Sequence, residues 1–145
     1  MLFIHVQTED FDQGALYSEL RAHSGIGAIV TFTGLVREFS GHNEPLELEH
    51  YPGMTEKSLQ AIFNEAQKRW PIDNGTIVHR VGKLNPGEQI VFVGVASAHR
   101  AAAFDAAQFM MDQLKTRAPF WKKEGKQWVA AKETDQQAAE AWYSA

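Results

Sequence analysis

Residues 88–117, EQIVFVGVASAHRAAAFDAAQFMMDQLKTR, decide the fold, because an apolar strand runs directly into a long helix. The almost continuously apolar residues 90–98 predict a central strand that is buried on both faces. Residues 101–117 predict a helix that ends before Pro119. Its apolar face is predicted to hold four residues, Phe104, Ala107, Met111 and Leu114.

On both sides of this stretch, strands and helices mix without a regular rhythm. The segment TIVHRVG (76–82) is predicted to form a hairpin with 88–98 through the turn KLNPG (83–87). A helix capped by Thr55 and a two-stranded ribbon over 121–129 follow from the same patterns. These elements predict an α+β fold with a mixed, largely antiparallel sheet and packed helices. We find no repeat or linker and take residues 1–145 as one domain.

Composition excludes several classes of function. The chain has 145 residues, a formal net charge of −4 and no cysteine. A thiol nucleophile and a zinc–thiolate site are therefore excluded, and the negative charge argues against nucleic-acid binding. Without an apolar run long enough to cross a membrane, we expect no membrane association and a cytoplasmic location. The six histidines lack metal-ligand spacing, so we expect neither a metal nor a cofactor.

Positive charge is concentrated in one segment. Residues 99–126 contain six Lys and Arg and three Asp and Glu, which makes this segment +3 and leaves −7 for the rest of the chain. A basic patch on an acidic protein suggests a small anionic ligand or the acidic tail of a partner protein.

Two parts of this segment are candidate sites. His99 and Arg100 lie where the strand gives way to the helix, a position that favours phosphate or carboxylate binding; a solvated arginine and a histidine bonded at the helix start are the alternative. Lys115 and Lys122 flank a proline turn with aromatic residues, where a lysine can act as an acid, a base or a nucleophile. Alternatively, Lys115 simply suits the helix dipole.

The predicted helix separates these candidates. Arg100 and Lys115 would lie about 22 Å apart at 1.5 Å per residue, and no small anion spans that distance. Either the two residues belong to different sites, or one pocket is shared between two subunits of a homodimer.

Five strings resemble the catalytic, large subunit of molybdopterin synthase. They are TFTGLVR (31–37), LEHYPGMTEKSL (48–59), HRVGKLNPGE (79–88), VGVASAHRAAAF (93–104) and MDQLKTRAPFWKKE (111–124). The resemblance runs from about residue 27 to residue 137. It implies an α/β hammerhead fold with an added subdomain, and conversion of cyclic pyranopterin monophosphate to molybdopterin.

In this family two sulfurs arrive as a thiocarboxylate on the C-terminal Gly-Gly of a small ubiquitin-like subunit, within a heterotetramer built on a dimer of large subunits. The resemblance assigns Lys115 and Lys122 as catalytic and substrate-binding. It assigns seven further substrate-binding residues: Leu35, Val36, Arg37, His99, Arg100, Lys123 and Glu124. A cysteine-free chain with a basic pocket fits this chemistry, since the sulfur must come from elsewhere. The alternative is a dimeric module that binds a phosphorylated metabolite or a partner's tail without chemistry.

Overall fold

The computed structural model describes residues 1–38, 45–124, 127–129 and 133–144. The elements in chain order are β1 (Leu2–Gln7), α1 (Gln13–Leu20), β2 (Ala28–Leu35), β3 (Leu46–His50), α2 (Met54–Arg69), β4 (Asn74–Arg80), β5 (Gly82–Leu84), β6 (Gln89–Ser97), α3 (Arg100–Arg117), β7 (Phe120–Glu124), β8 (Gln127–Val129) and α4 (Glu133–Ala141). The predicted α+β class is confirmed. Among the described helices, none is both long and apolar enough to span a membrane.

The first sheet has the strand order β1-β4-β6-β2. Only β1 and β4 are parallel within it, so the largely antiparallel sheet is confirmed. β6 lies inside the sheet, as its apolar sequence predicts. Helices α2 and α3 pack on one face through Phe63, Phe109 and Met110. Leu20 of α1 packs on the other face, which explains why β6 is apolar on both sides.

The second sheet has the order β5-β3-β7-β8 and is antiparallel throughout. Leu46 and Leu48 of β3 are buried, whereas Glu47 and Glu49 point to the more accessible face. The buried leucines form a small core with Val36, Val81 and Leu84. The pairing of β7 with β8 confirms the predicted ribbon, whose connecting residues 125–126 lie outside the described residues.

One part of the hairpin prediction is wrong. β4 and β6 are antiparallel neighbours, as predicted. However, residues 82–84, where the predicted strand passes into the predicted turn, form β5, which pairs with β3 of the second sheet. Leu84 is fully buried there, and a strand of three residues is too short to show a period in the sequence.

Two helix predictions also need correction. α2 begins after Gly53, whose N–H donates to the Glu56 carboxylate at 3.2 Å, so Thr55 is not the cap. On α3, Phe104 is 61% exposed, whereas Ala107 and Leu114 are buried as predicted, and four of the eight buried residues are alanines. Small alanines let the helix approach the sheet closely, and their weak hydrophobicity hides this face in the sequence pattern.

Candidate active site

α3 carries candidate residues at both ends. His99 caps its N-terminus, Arg100 is its first residue, and Lys115 lies in its last turn. All three side chains are exposed. The helix is continuous, so Arg100 and Lys115 are about 22 Å apart along it. One subunit therefore cannot bring both to the same small anion.

The C-terminal end of α3 lies near the start of β6. His79 of β4 pairs with Val91, the third residue of β6. The pKa of His79 is lowered to about 4, chiefly because the ring is buried and further by the positive charge of Lys115. Because this effect requires proximity, Lys115 and the start of β6 are at the same end of the molecule.

The end of β2 brings Arg37 to this same end. β2 is antiparallel to β6, so Leu35 pairs with Gln89. A bulge between Gly34 and Leu35 re-aims the chain that follows. The Val36 side chain is buried, its N–H donates to the Glu88 carbonyl at 2.9 Å, and its carbonyl accepts from Gly87 N–H at 2.8 Å. Val36 thus anchors the strand end and leaves the side chains of Leu35 and Arg37 exposed.

His99 and Arg100 lie at the opposite end of β6. The Gly27 N–H donates to the Ser97 carbonyl at 3.0 Å. A Cβ atom on Gly27 would lie 2.3 Å from the Ala98 carbonyl oxygen, so only glycine permits this approach. The Ser97 hydroxyl in turn donates to the Pro71 carbonyl at 2.8 Å. These contacts fix the short connection that presents His99 and Arg100 to solvent.

β7 carries the remaining candidates on its two faces. One face of β7 holds Phe120, Lys122 and Glu124. On the neighbouring strand β3, their respective register partners are His50, Leu48 and Leu46. Lys122 Nζ forms an ion pair with Glu124 at 3.3 Å. On the other face, Lys123 Nζ lies 5.6 Å from the centre of the Trp128 ring. The structure therefore separates Lys123 from the Lys122–Glu124 pair.

A stacked pair of rings connects Lys115 with the strand of Lys122. The Phe120 ring stacks on His79, with 4.0 Å between ring centres and 23° between planes. Phe120 is two residues before Lys122 on the same strand face. Both lysines are thus linked to this pair of rings, Lys115 through its charge acting on His79 and Lys122 through its place on the strand of Phe120.

The predicted residues therefore form two groups. Arg37, Lys115 and Lys122 lie at one end of α3, with Leu35, Val36, Lys123 and Glu124, whereas His99 and Arg100 lie at the other. Sequence reasoning missed His79 and Phe120. The histidine within the apolar string TIVHRVG was a signal, but its contact with β7 depends on how the two sheets meet.

The first group offers three amines, a guanidinium and one carboxylate beside apolar side chains. Such a set can bind an anion, polarise a carbonyl and move protons. Within the described part of the chain, no three His, Asp or Glu side chains are grouped so that they could hold a metal ion.

Comparison with known proteins identifies the family. A profile described as "MoaE protein" matches residues 6–117. The molybdopterin synthase catalytic subunit of Escherichia coli is 54% identical over 96% of this chain and 97% of that protein. That of Pseudomonas aeruginosa is 56% identical, again over 96% of this chain and 97% of that protein.

Solved structures agree. Molybdopterin cofactor biosynthesis protein E from Burkholderia multivorans superposes with a TM-score of 0.87 at 51% identity, covering 99% of this chain and 98% of that one. Molybdopterin synthase from Staphylococcus aureus superposes with a TM-score of 0.79 at 33% identity, covering 87% of this chain and 96% of that one. By sequence and by fold, the chain belongs to the MoaE family, the family of molybdopterin synthase catalytic subunits.

Proposed function

We propose that this chain is the catalytic subunit of a molybdopterin synthase. It converts cyclic pyranopterin monophosphate to molybdopterin with two sulfurs from the C-terminal thiocarboxylate of a small ubiquitin-like subunit. The observation that carries the proposal is the cation group of Arg37, Lys115 and Lys122 at the meeting point of the two sheets. The absence of cysteine supports it, because the sulfur must come from a partner.

The pocket is completed by a second copy of the chain. His99 and Arg100 are about 22 Å from Lys115 within one subunit, so we assign them to the pocket of the neighbouring subunit. There they bind the substrate phosphate by charge and by the free N–H groups of the helix start. The assembly is a homodimer of this chain with one small subunit for each pocket.

The residues have distinct roles in the proposed transfer. Each thiocarboxylate sulfur bonds to a substrate carbon in place of an oxygen, which leaves that carbon with a proton. Water then attacks the acyl carbonyl and the acyl carbon–sulfur bond breaks, which leaves a carboxylate on the partner's tail and the sulfur on the substrate. Lys115 moves protons or transiently holds a carbonyl during these steps. Lys122 binds the substrate and the incoming tail, and its pairing with Glu124 fixes its position. Leu35, Val36, Arg37 and Lys123 complete the substrate contacts.

Reconstitution tests the proposal. The protein is mixed with thiocarboxylated small subunit and cyclic pyranopterin monophosphate, and dithiolene formation is followed, with unthiolated small subunit as the control. We expect product only with the thiocarboxylate. Tight binding of the partner without product would favour the non-catalytic binding module. Failure to bind the partner would contradict the whole proposal. We extend the proposal to a cytoplasmic location, which cell fractionation tests.

A further inference from the structure

His79 is a buried titratable residue that the proposed reaction does not use. Its side chain lies on β4 between Val6 of β1 and Val91 of β6, and the residue is only 7% exposed. Apolar side chains are the usual occupants of such a position. An imidazole here needs a polar partner, and its Nδ1 lies 2.8 Å from the Arg80 carbonyl oxygen.

This hydrogen bond fixes the form of the ring. A carbonyl oxygen only accepts, so Nδ1 carries the proton and donates it. The other charged and titratable groups that face the ring are Lys115 of α3 and His50 of β3, and both oppose a positive charge on it. Burial opposes that charge still more strongly. The ring is therefore uncharged at neutral pH and adds no second positive charge to the surroundings of Lys115.

The ring is also a support for β7. Phe120, the first residue of β7, stacks on it at 4.0 Å. The preceding carbonyl, that of Pro119, accepts a hydrogen bond from the Thr55 hydroxyl at 3.1 Å. The start of β7 is thus held at two adjacent points, one on α2 and one on β4. Lys122 follows two residues later.

We propose that His79 is a positioning residue for the two lysines: its ring, stacked on Phe120, sets the place of Lys122 relative to Lys115. The catalytic part of this inference rests on the proposed function. The electrostatic effect of Lys115 on His79 does not, and it can be tested without turnover.

Two variants separate the stack from the hydrogen bond. His79→Phe keeps an aromatic ring on Phe120 but has no N–H, whereas His79→Gln keeps an N–H donor but no ring. For His79→Phe we expect kcat within about threefold of wild type. For His79→Gln we expect kcat to fall by at least about tenfold, while KM for the pterin and the affinity for the small subunit change less than about twofold.

His5→Ala is the matched control. His5 stacks on Phe3 in a similar geometry, with 4.5 Å between ring centres and 23° between planes, but it lies on the exposed strand β1. Its loss should leave kcat unchanged. Wild-type kcat in His79→Gln, an equally low kcat in His79→Phe, or an effect confined to KM would each overturn the inference.

Nitrogen-15 NMR of the histidine rings gives a readout that needs no substrate. At pH 6 we expect a neutral His79 ring with the proton on Nδ1. As the pH falls, protonation of His79 should begin at a higher pH in Lys115→Met than in wild type, and Lys68→Met, at the far end of α2, should show no change. A charged ring at pH 6, or no effect of Lys115→Met, would overturn the inference. If wild type forms no product but these NMR results hold, the proposed function fails and the electrostatic effect of Lys115 on His79 stands.

Discussion

At the scale of single residues, a substitution of Lys115 is expected to affect activity without affecting the stability of the fold. Its side chain is exposed in the last turn of α3, so truncation removes little packing. We expect Lys115→Ala to abolish dithiolene formation while the melting temperature and the dimer stay nearly unchanged. Activity assays, thermal unfolding and sedimentation check this. Lys68→Ala, another exposed lysine in the last turn of a helix, is the control, and activity retained in Lys115→Ala would refute the assigned role.

The lowered pKa of His79 predicts how the free energy of unfolding depends on pH. Its pKa is about 4 in the folded protein and near 6.5 in the unfolded chain. Between these values the unfolded chain binds a proton that the folded ring does not, so the free energy of unfolding decreases as pH falls. This contribution is fully present above about pH 6.5, and about 3 kcal/mol is lost by about pH 4.

Urea unfolding at several pH values tests this, with His79→Phe compared with wild type. The variant should lose less stability between pH 7 and pH 4.5, and His5→Phe, at an exposed position, should behave like wild type. The pKa of Asp10 is also lowered, first by the Gln89 amide and then by the Phe11 N–H. Its contribution is lost only at more acidic pH and is common to all these variants. Parallel pH profiles for wild type and His79→Phe would contradict the assignment to His79.

At the scale of elements, the packing of α2 on β4 depends on a position without a side chain. A Cβ atom on Gly75 would lie 2.2 Å from the ring of Phe63, which is only 2% exposed. Gly75→Ala should therefore destabilise the protein by about 1–3 kcal/mol. Gly14→Ala in α1 is the control, since its nearest neighbour is 3.3 Å away and alanine favours a helix. Chemical denaturation measures both, and equal stabilities would contradict the close packing.

The end of the chain is docked on α2 and α3. Trp142 Nε1 donates to the Asp112 carboxylate at 2.7 Å, and its ring lies 5.5 Å from those of Trp70 and Phe109 in edge-on geometry. Since this ring is half-buried, we expect Trp142→Ala to cost about 2 kcal/mol of unfolding free energy. Trp142→Phe should cost about half as much, because it loses only the hydrogen bond and part of the ring. Thermal unfolding checks the order, and Trp128→Ala, at an exposed tryptophan, should change stability least.

Most strands and helices could be predicted from the sequence, because the regular spacing of their apolar residues extends over many residues. β6 and α3 are the clearest cases. The starts of helices were less predictable: Asp12 caps α1 as its side-chain chemistry suggests, whereas Gly53 begins α2 through a backbone with φ of 85°. Three-residue β5 could not be seen at all, because its pairing with β3 depends on distant residues.

At the scale of the whole molecule, the shared pocket predicts complementation between two inactive proteins. Arg100→Ala and Lys115→Ala should each be inactive as homodimers. In a mixed dimer one pocket combines Lys115 from one subunit with Arg100 from the other and is intact. Random exchange should therefore restore about one quarter of wild-type activity, since half of the dimers are mixed and each has one intact pocket of two. No recovery after proven exchange would place both residues in one subunit's pocket.

The sequence predicts which residues the candidate site would hold, but not how the fold arranges them. Spacing along α3 was enough to separate Arg100 from Lys115, because helix geometry converts sequence distance into length. The meeting of Lys115 with the strand of Lys122 was not predictable, since it depends on His79 and Phe120 contacting each other between two sheets. The segment 39–44 and the connection at residues 125–126 lie outside the described residues.

α3 has one more property that follows from its residues at both ends. The length of the helix sets both the distance and the rotation between its two ends. Inserting or deleting one residue between Arg100 and Lys115 would rotate one end against the other by about 100° and shift it by about 1.5 Å. Both pockets of a dimer would then be misaligned together. We therefore expect a one-residue insertion in the middle of α3 to abolish activity, whereas a point substitution on its exposed side leaves activity nearly unchanged.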